Sequence, residues 1–326
     1  MGFVMSGILT PELHVVGLPD RQSLAEQLAD GLTAQQASLP SKCFYDQLGS
    51  SLFTAITHLD EYYLARVEAD IFASHGPEIA QCAGHGRTVM DLGAGDCMKA
   101  SRLFELFRPS AYVAVDISLD HLRASLECLQ RQFPDLPMTG VCTDFADSFR
   151  MPTGLATGPR IGLYLGSSIG NFPDQQAVRL LSDIREALQG GALLLGADLV
   201  KDAPLLERAY DDALGVTAAF NLNILRHVNR ILNADFNTTD WAHVARFNAI
   251  ESRIEMHLRA RRAVDVRWSA AGGGHRRFAQ DETIHTENSC KYTRASLERL
   301  LRQAGFGAVR LWTDAAERFA LALALP

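Results

Sequence analysis

A tight turn with two glycines, at residues 89–96, constrains the fold of this chain more than any other segment. The run Val-Met-Asp-Leu-Gly-Ala-Gly-Asp begins as a short apolar strand and ends at an acidic residue. Gly93 and Gly95 allow the backbone to turn sharply, and they let a ligand approach without a Cβ in the way. Apolar residues then recur at helical spacing across residues 103–107, which predicts a helix after the turn. A strand, a glycine turn and a helix together predict half of a mononucleotide-binding unit.

The next apolar run, residues 111–116, predicts a second strand that ends in a carboxylate at Asp116. This carboxylate follows the glycine turn at about the distance where such folds place a ribose-binding acid. Met98 stands where the dinucleotide fingerprint G-x-G-x-x-G needs its third glycine, which disfavours a nicotinamide cofactor. A D-x-G-x-G turn with an acidic strand end resembles the first two motifs of Rossmann-like S-adenosylmethionine-dependent methyltransferases. At this point nucleotide binding and an ordinary strand-helix turn remain open.

Further along the chain, predicted strands alternate with predicted helices, which is typical of a doubly wound parallel sheet. The last two predicted strands are separated by a polar turn, and the resemblance to this methyltransferase class implies that they form its closing hairpin. Between residues 201 and 288, helical patterns up to about residue 237 give way to strand-like runs, so an inserted lobe is predicted. The remaining predicted strands are 139–142, 161–165, 192–197, 308–313 and 318–325, and the predicted helices are 122–133, 174–188 and 294–304.

Composition limits the kind of partner that the chain can have. The 326 residues are 47% hydrophobic and 21% charged, which suits a soluble globular protein with a large core and two lobes. A formal charge of -7 disfavours a nucleic-acid partner, because binding a polyanion needs a basic face. We therefore expect a small-molecule substrate.

A membrane partner, secretion and a metal site are disfavoured as well. No run reaches the roughly 18 apolar residues of a membrane span, and residues 1–11 lack the basic start and apolar core of a signal peptide. The 6 cysteines form no C-x-x-C pair, which disfavours a zinc ribbon or a redox dithiol. We expect a cytoplasmic protein with reduced, mostly buried thiols and no metal.

Polar and aromatic motifs from residue 41 to the C-terminus narrow the function. Along the chain these motifs are SKCFYD, EYYLARVEA, DLGAG, LGSSIGN, DLVKD, RAYDD, GVTAAFN, HVARFN, RIEMHL and TENSCK. With these motifs in this order, the sequence closely resembles the histidine-specific Nα-methyltransferases of ergothioneine biosynthesis. The resemblance implies three successive methyl transfers from S-adenosylmethionine to the α-amine of L-histidine, which yield Nα,Nα,Nα-trimethylhistidine.

The resemblance also implies an architecture. An α/β fold is expected, with a Rossmann-like seven-stranded methyltransferase sheet and a second, mixed α+β lobe that binds the substrate. The S-adenosylmethionine-binding domain would comprise residues 66–200 plus 292–326, and the substrate-binding domain residues 14–65 plus 201–291. We expect a monomer.

On the cofactor side, the family's pattern matches five positions of this chain, and the resemblance assigns them to the S-adenosylmethionine site. They are Gly93, Lys99, Asp116, Asp144 and Phe145. Asp116 would bind the ribose hydroxyls, because a carboxylate accepts from two donors at once. Asp144 would accept from the adenine amine.

On the substrate side, the resemblance assigns Asn171 and Tyr210 to the carboxylate and amine end of histidine. Tyr62, Glu287 and Ser289 match the positions around the imidazole. There Glu287 would accept from a ring N–H, and Ser289 would bond the ring edge. A buried carboxylate opposite imidazole discriminates strongly, since an apolar side chain would leave that charge unpaired at a cost of several kcal/mol.

Three further side chains are expected to shape the pocket. Met256 matches a position beside the imidazole, although a methionine in an alternating strand is also typical of plain core. Tyr45 and Phe53 would form an aromatic wall around the amine, where a methylated cation gains about 0.5 to 2 kcal/mol. The alternative for this pair is packing between the lobes. Tyr45 and Asn171 would orient the amine, and no residue is assigned as general base.

The chain departs from the family pattern at Asn288, where an apolar residue is expected, and at residues 97–98, where the family often has small polar and acidic residues. These departures leave open a shifted affinity or a relaxed choice of ring. Three alternatives are also weighed: an N-methyltransferase of another aromatic amino acid such as a tryptophan derivative, a catalytically inactive S-adenosylmethionine-binding protein, and a nicotinamide oxidoreductase, which the incomplete glycine fingerprint disfavours. The Glu287 and Ser289 pair favours histidine, because a pocket for indole would not be expected to keep it.

Overall fold

The computed structural model describes residues 8–18, 20–144, 149–152, 154–155 and 157–326. Its strands are β1 Glu12–Val15, β2 Thr88–Leu92, β3 Ala111–Asp116, β4 Met138–Cys142, β5 Arg160–Tyr164, β6 Ala192–Asp198, β7 Trp241–Asn248, β8 Arg253–Ala260, β9 Val264–Trp268, β10 Gly274–Phe278, β11 Thr283–Cys290, β12 Ala308–Thr313 and β13 Phe319–Leu325. Its α-helices are α1 Arg21–Thr33, α2 Gln47–Ile56, α3 Tyr63–Ala83, α4 Met98–Ser101, α5 Phe104–Phe107, α6 Leu119–Gln132, α7 Asp174–Ala187, α8 Ala203–Tyr210, α9 Val216–Leu232 and α10 Arg294–Gln303. Short 3-10 helices cover Ser41–Phe44, Ser168–Asn171 and Thr238–Asp240.

An eight-stranded sheet in the order β1-β4-β3-β2-β5-β6-β13-β12 forms the centre of the fold. Neighbouring strands are parallel except at β13, which is antiparallel to both β6 and β12. This arrangement confirms the predicted Rossmann-like α/β fold and its closing hairpin. The additional strand β1 pairs in parallel with β4 and extends the expected seven-stranded sheet. β1 has only four residues, too short a run to predict a strand from its sequence, so pairing with the edge of β4 decides that it is one.

The inner strands are buried because helices cover both faces of the sheet. Every residue of β5 and of β6 is buried, which is typical of parallel strands between two helical layers. Helices α7 and α10 pack together over one face, and α3 packs against β6 and β13. Because β2, β3, β5 and β6 run parallel, their carboxyl ends meet at one edge of the sheet.

The helix predicted after the glycine turn is interrupted. In its place the chain forms the two short helices α4 and α5. The N–H of Leu103 bonds to the carbonyl of Ala100, three residues back, and the N–H of Leu106 bonds to that of Leu103. These tighter turns break the α-helical ladder, so the periodicity alone predicts the helical residues but not the interruption.

The segment after β6 is helical first and antiparallel afterwards, as predicted. Helix α9 packs against α1, α2 and β7, and β7, β8 and β11 form a three-stranded antiparallel sheet. Strands β9 and β10 form a separate hairpin. The division of the chain into two lobes stays a prediction, and its expected boundary at residues 65–66 falls inside α3. Within the described residues, no helix is both long and apolar enough for a membrane crossing.

Candidate active site

The glycine turn after β2 lies open at the carboxyl edge of the large sheet. Gly93 and Gly95 have φ angles of 74° and 53°, in the left-handed region that favours glycine. The Asp116 carboxylate, at the end of β3, accepts from the N–H of Gly95 at 2.9 Å and from that of Ser118 at 3.0 Å. A Cβ at either glycine would meet no heavy atom within 4 Å, so the space beside the turn can take a ligand.

A buried carboxylate connects the glycine-turn segment to the loop after β5. The Glu68 side chain, on α3, is 2% exposed and accepts from Lys99 Nζ at 2.7 Å. Its other oxygen accepts from the N–H of Gly166 at 2.8 Å. Sequence analysis missed Glu68, although the residue belongs to the motif EYYLARVEA. The ion pair with Glu68 therefore holds the Lys99 side chain at the edge of the site.

Asp144 follows β4 and lies beside the 3-10 helix Ser41–Phe44. Its carboxylate is 3% exposed and accepts from Lys42 Nζ at 2.8 Å, an ion pair that sequence analysis did not predict. Phe145 lies outside the described residues. The adenine contact of Asp144 and the place of Phe145 in the S-adenosylmethionine site stay predictions.

A cavity next to Gly166 brings together every residue that was predicted on the substrate side. It is lined by Tyr45, Phe53, Tyr62, Asn171, Tyr210, Met256, Glu287 and Ser289. Further lining residues are Ile56, Gly166, Ser167, Ser168, Ala209, Thr217 and Phe220. Because Gly166 also bonds Glu68, the cavity and the glycine-turn segment share one edge.

Aromatic rings form one wall of the cavity. Tyr45 and Phe53 have centroids 5.9 Å apart in an edge-to-face arrangement, and Phe53 lies 6.3 Å from Tyr62. Phe220 of α9 lies 6.0 Å from both Tyr45 and Phe53. Sequence analysis missed Phe220, although it belongs to the motif GVTAAFN. Rings in this arrangement can stabilise a cation that they face.

A capped helix places the aromatic wall. Asp46 caps α2 by accepting from the N–H of Gly49, and it also accepts from Asn223 of α9 at 2.8 Å. Gly49 is required there, since a Cβ would lie 1.6 Å from the carbonyl oxygen of Phe44. The bonds through Asp46 join α2 to α9 and so bring Phe53 against Phe220.

A β-bulge turns Glu287 toward the cavity. In the β8–β11 ladder, His285 pairs with His257 but Glu287 pairs with Met256, so Thr286 is an extra residue. If the register at His285 continued without a bulge, Thr286 would lie opposite Met256 and Glu287 opposite Glu255, on the other face of the sheet. The hydroxyl of Thr286 donates to the carbonyl of Met256 at 3.0 Å.

Asn288, at which the chain departs from the family pattern, lies on the outer face of this ladder, away from Glu287. Its side-chain oxygen is 2.9 Å from His285 Nε2, and its ladder partner is Glu255. Asn288 therefore bonds across the bulge to a residue of its own strand and does not line the cavity.

Glu287 is 8% exposed, and burial raises the pKa of its carboxyl to about 8, although Lys291 opposes the shift. The amide of Asn171 donates to it at 3.4 Å. Burial likewise raises the pKa of Tyr45, Tyr62 and Tyr210 well above the ordinary value, so these phenols stay neutral at physiological pH. The cavity thus presents neutral hydroxyls and one carboxyl that titrates near neutrality.

A buried network lies behind the cavity at the end of β6. Lys291 Nζ is 2.8 Å from Asp198 Oδ2, and both side chains are 0% exposed. Lys291 also donates to Tyr210 at 3.0 Å and to Ser289 at 2.9 Å. Lys201 contacts the other oxygen of Asp198 at 2.6 Å. These charges lie in the motifs DLVKD and TENSCK, and the sequence alone gives them no role.

The family relationship follows from comparison with known sequences. A family described as histidine-specific methyltransferases, SAM-dependent, matches residues 24–326. The chain belongs to this family. As a member, this methyltransferase uses S-adenosylmethionine as methyl donor, and the open glycine turn beside Asp116 suits that molecule. Within the described ranges, no group of three or more His, Cys, Asp or Glu side chains could hold a metal ion.

Individual relatives carry names that agree with the family. This methyltransferase is 41% identical over 310 residues to a histidine N-alpha-methyltransferase of Mycolicibacterium smegmatis, covering 93% of this chain and 95% of that protein. A second histidine N-alpha-methyltransferase, from Mycobacterium tuberculosis, is 39% identical over 93% of this chain and 94% of its own. The ergothioneine biosynthesis protein 1 of Neurospora crassa is 30% identical over 84% of this chain and 32% of its own length.

Solved structures resemble this methyltransferase more distantly. The magnesium protoporphyrin IX methyltransferase of Synechocystis has a TM-score of 0.44 at 12% identity, covering 87% of this chain and 97% of that one. A glycopeptide N-methyltransferase complexed with sinefungin also has a TM-score of 0.44, at 13% identity, covering 86% and 98%.

Proposed function

We propose that this methyltransferase transfers three methyl groups in succession to the α-amine of L-histidine and forms Nα,Nα,Nα-trimethylhistidine, a step of ergothioneine biosynthesis. One observation carries the proposal. Glu287 and Ser289, which suit an imidazole ring, line the same cavity as Asn171 and Tyr210, which suit an amino-acid backbone.

On the cofactor side, we propose that Gly93, Lys99, Asp116, Asp144 and Phe145 hold S-adenosylmethionine. Asp116 keeps lone pairs for ribose hydroxyls after it accepts from the backbone, because each carboxylate oxygen can accept more than once. Lys99 is 46% exposed and can reach a carboxylate at the edge of the turn. The position of Gly166 between Lys99 and the cavity supports a methyl donor next to the substrate.

On the substrate side, Asn171 and Tyr210 would hold the carboxylate and amine end, since an amide and a phenol can both donate. Tyr62, Glu287 and Ser289 would surround the imidazole, with Met256 packed beside the ring. Tyr45 and Phe53, together with Phe220, would face the methylated amine.

The protein's main task in the reaction is positioning. S-adenosylmethionine supplies a methyl group on a sulfonium, which is already a good leaving group. Holding the amine in line with that methyl can contribute roughly 7 to 11 kcal/mol. The amine must lose a proton first, and α-amino groups titrate at about 8 in peptides. Tyr45 and Asn171 orient the amine, and the high pKa of Tyr45 disfavours it as the proton acceptor.

Two alternatives predict different behaviour at this site. A tryptophan-derivative N-methyltransferase would have to fit a two-ring indole into this cavity, and an indole offers one N–H donor where a neutral imidazole offers both a donor and an acceptor to Glu287 and Ser289. A catalytically inactive binding protein would need no substrate pocket, yet the aromatic wall and the polar groups of Asn171, Tyr210 and Glu287 line one cavity. Both observations favour histidine methylation.

The test is mass spectrometry of the purified protein incubated with S-adenosylmethionine and an equal mixture of the twenty amino acids. We expect histidine to gain three methyl groups while the other amino acids stay unchanged. If a different amino acid gains mass, the specificity argument from Glu287 is wrong and the methyltransferase assignment remains. If no amino acid changes, the binding-only alternative replaces the proposal.

We also propose a cytoplasmic monomer that binds neither nucleic acid nor membrane. The formal charge of -7 supports the absence of a nucleic-acid partner. Light scattering after size exclusion measures the mass in solution, and cell fractionation measures the location. A dimeric mass or a membrane-bound fraction would contradict these two points.

A further inference from the structure

Lys291 is a fully buried cation that the methyl transfer described above does not use. Its ammonium has three N–H donors. Three acceptors lie within hydrogen-bond distance, Asp198 at 2.8 Å, Ser289 at 2.9 Å and Tyr210 at 3.0 Å. All three donors are therefore committed.

The hydroxyls of Tyr210 and Ser289 are also bonded to each other, at 2.7 Å. Each oxygen already accepts from Lys291, and one of the two hydroxyl hydrogens forms the bond between the two oxygens. The pair has two hydroxyl hydrogens, which leaves one without a partner in the described parts of the chain. Because both side chains line the cavity, this hydrogen can only meet a ligand or solvent there.

We propose that Lys291 is a positioning residue that fixes the hydrogen-bond polarity of the Tyr210–Ser289 pair, so that the pair donates one hydrogen to an acceptor atom of the amino-acid substrate. The acceptor is a carboxylate oxygen or an unprotonated imidazole nitrogen. The inference rests on the proposed function for the identity of the substrate.

Asp198 makes this arrangement possible. It neutralises Lys291 from the end of β6, and it also accepts from the hydroxyl of Tyr63 at 2.9 Å. Lys201 pairs with the same carboxylate but bonds Tyr63 and the carbonyl of Leu199, not the cavity hydroxyls. Lys201 therefore offers a matched control, since its loss removes a cation from the same carboxylate without touching the pair.

The experiment compares the wild type with Lys291→Met and Lys201→Met in steady-state kinetics. We expect Lys291→Met to raise KM for histidine about 10- to 100-fold, the effect of losing hydrogen bonds to a charged group. KM for S-adenosylmethionine should stay within about twofold, and Lys201→Met should change KM for histidine less than about threefold. Equal rises of KM for histidine in both variants would overturn the proposal, because they would show a merely structural role.

A second comparison tests whether Lys291 acts through the hydroxyls. In a Tyr210→Phe and Ser289→Ala background, adding Lys291→Met should raise KM for histidine less than about threefold, since interacting groups are non-additive. An undiminished rise would overturn the proposal. If turnover is too slow there, the dissociation constant of histidine from calorimetry gives the same comparison.

Folding and substrate identity are checked separately. Circular dichroism melting identifies variants that fail to fold. If Lys291→Met fails to fold, Lys291→Gln replaces it, and its KM for histidine should lie between those of the wild type and of the Tyr210→Phe, Ser289→Ala variant. The proposed function fails if the wild type leaves histidine unmodified. In that case the same variants are compared on the amino acid that the wild type does methylate, so the two conclusions can fail independently.

Discussion

Glu287 is the side chain whose chemistry depends most on its surroundings. An isolated Glu between Thr and Asn is usually a surface residue, whereas here it is 8% exposed and titrates at a pKa of about 8. Burial disfavours the charged carboxylate, and a partner that donates a hydrogen bond restores it. An imidazole N–H can supply that partner, so the same residue can both select the substrate and stabilise it.

Replacing Glu287 tests the selectivity of the pocket. We expect Glu287→Ala to lower kcat/KM for histidine at least about a hundredfold, because the ring N–H loses its buried partner. Glu287→Gln keeps the size and one acceptor, so its loss should be smaller. Steady-state kinetics with histidine and with tryptophan measures both effects. A Glu287→Ala variant that retains histidine turnover would contradict the imidazole assignment.

Glu287 should also make stability depend on pH. Its pKa is about 8 in the folded chain, against about 4.3 for an exposed Glu, so the folded state binds more protons in that interval. The free energy of unfolding therefore falls as pH rises from about 5 to 8. Urea unfolding of the ligand-free wild type and of Glu287→Gln, at several pH values, isolates the contribution. Parallel pH profiles for the two proteins would contradict the raised pKa of Glu287.

At the scale of elements, the bulge in β11 decides which side chains reach the cavity. Thr286 shifts the ladder by one residue, so Glu287 faces Met256 and Asn288 faces Glu255. The contact between His285 and Asn288 spans the bulge on the outer face at 2.9 Å. A hydrogen bond outside the pocket thus supports the orientation of the residues within it.

Removing this outer contact should weaken substrate binding without disturbing the cofactor. We expect Asn288→Ala to raise KM for histidine about 2- to 10-fold, the effect of one neutral hydrogen bond, with KM for S-adenosylmethionine unchanged. Asn237→Ala serves as the control, because Asn237 accepts from Thr239 just before β7 of the same sheet, away from the bulge. Equal effects of the two substitutions would show that the sheet, not the bulge, is what matters.

At the scale of the whole molecule, Glu68 joins three parts of the chain. It lies on α3, pairs with Lys99 beside the glycine turn, and accepts from Gly166 at the edge of the cavity. Gly196 of β6 leaves room for it, since a Cβ there would lie 2.4 Å from the carboxylate. One buried carboxylate therefore positions both Lys99 and the loop at the edge of the cavity.

Substitutions of Glu68 should separate these two connections. Glu68→Gln keeps an acceptor for Gly166 but loses the charge that holds Lys99, so we expect KM for S-adenosylmethionine alone to rise about 3- to 10-fold. Glu68→Ala loses both connections and should raise KM for both substrates. Lys99→Met is the control for the cofactor effect. If Glu68→Gln raises both KM values equally, the two connections are not separable.

Local chemistry was enough to predict strands β2 to β6, the glycine turn and the closing hairpin. Turns and periodic burial depend on residues close in the chain, so β3 was predicted at its observed bounds and β13 within one residue. The eight predicted substrate-side residues line one cavity. They could be predicted because the motifs that carry the family resemblance include the segments that form it. Their roles stay predictions.

The sequence by itself determined the fold class, the order of the strands along the chain and which segments carry polar groups suited to an amino acid and a nucleoside. Only the tertiary structure decided that β1 joins the sheet, that a bulge turns Glu287 inward, and that Asp198 neutralises Lys291. Such partners are distant in the chain, and no local pattern of charge or hydropathy records which buried ion meets which. Burial in a low-dielectric interior requires each charge to find a partner, and the packing of the whole chain selects it.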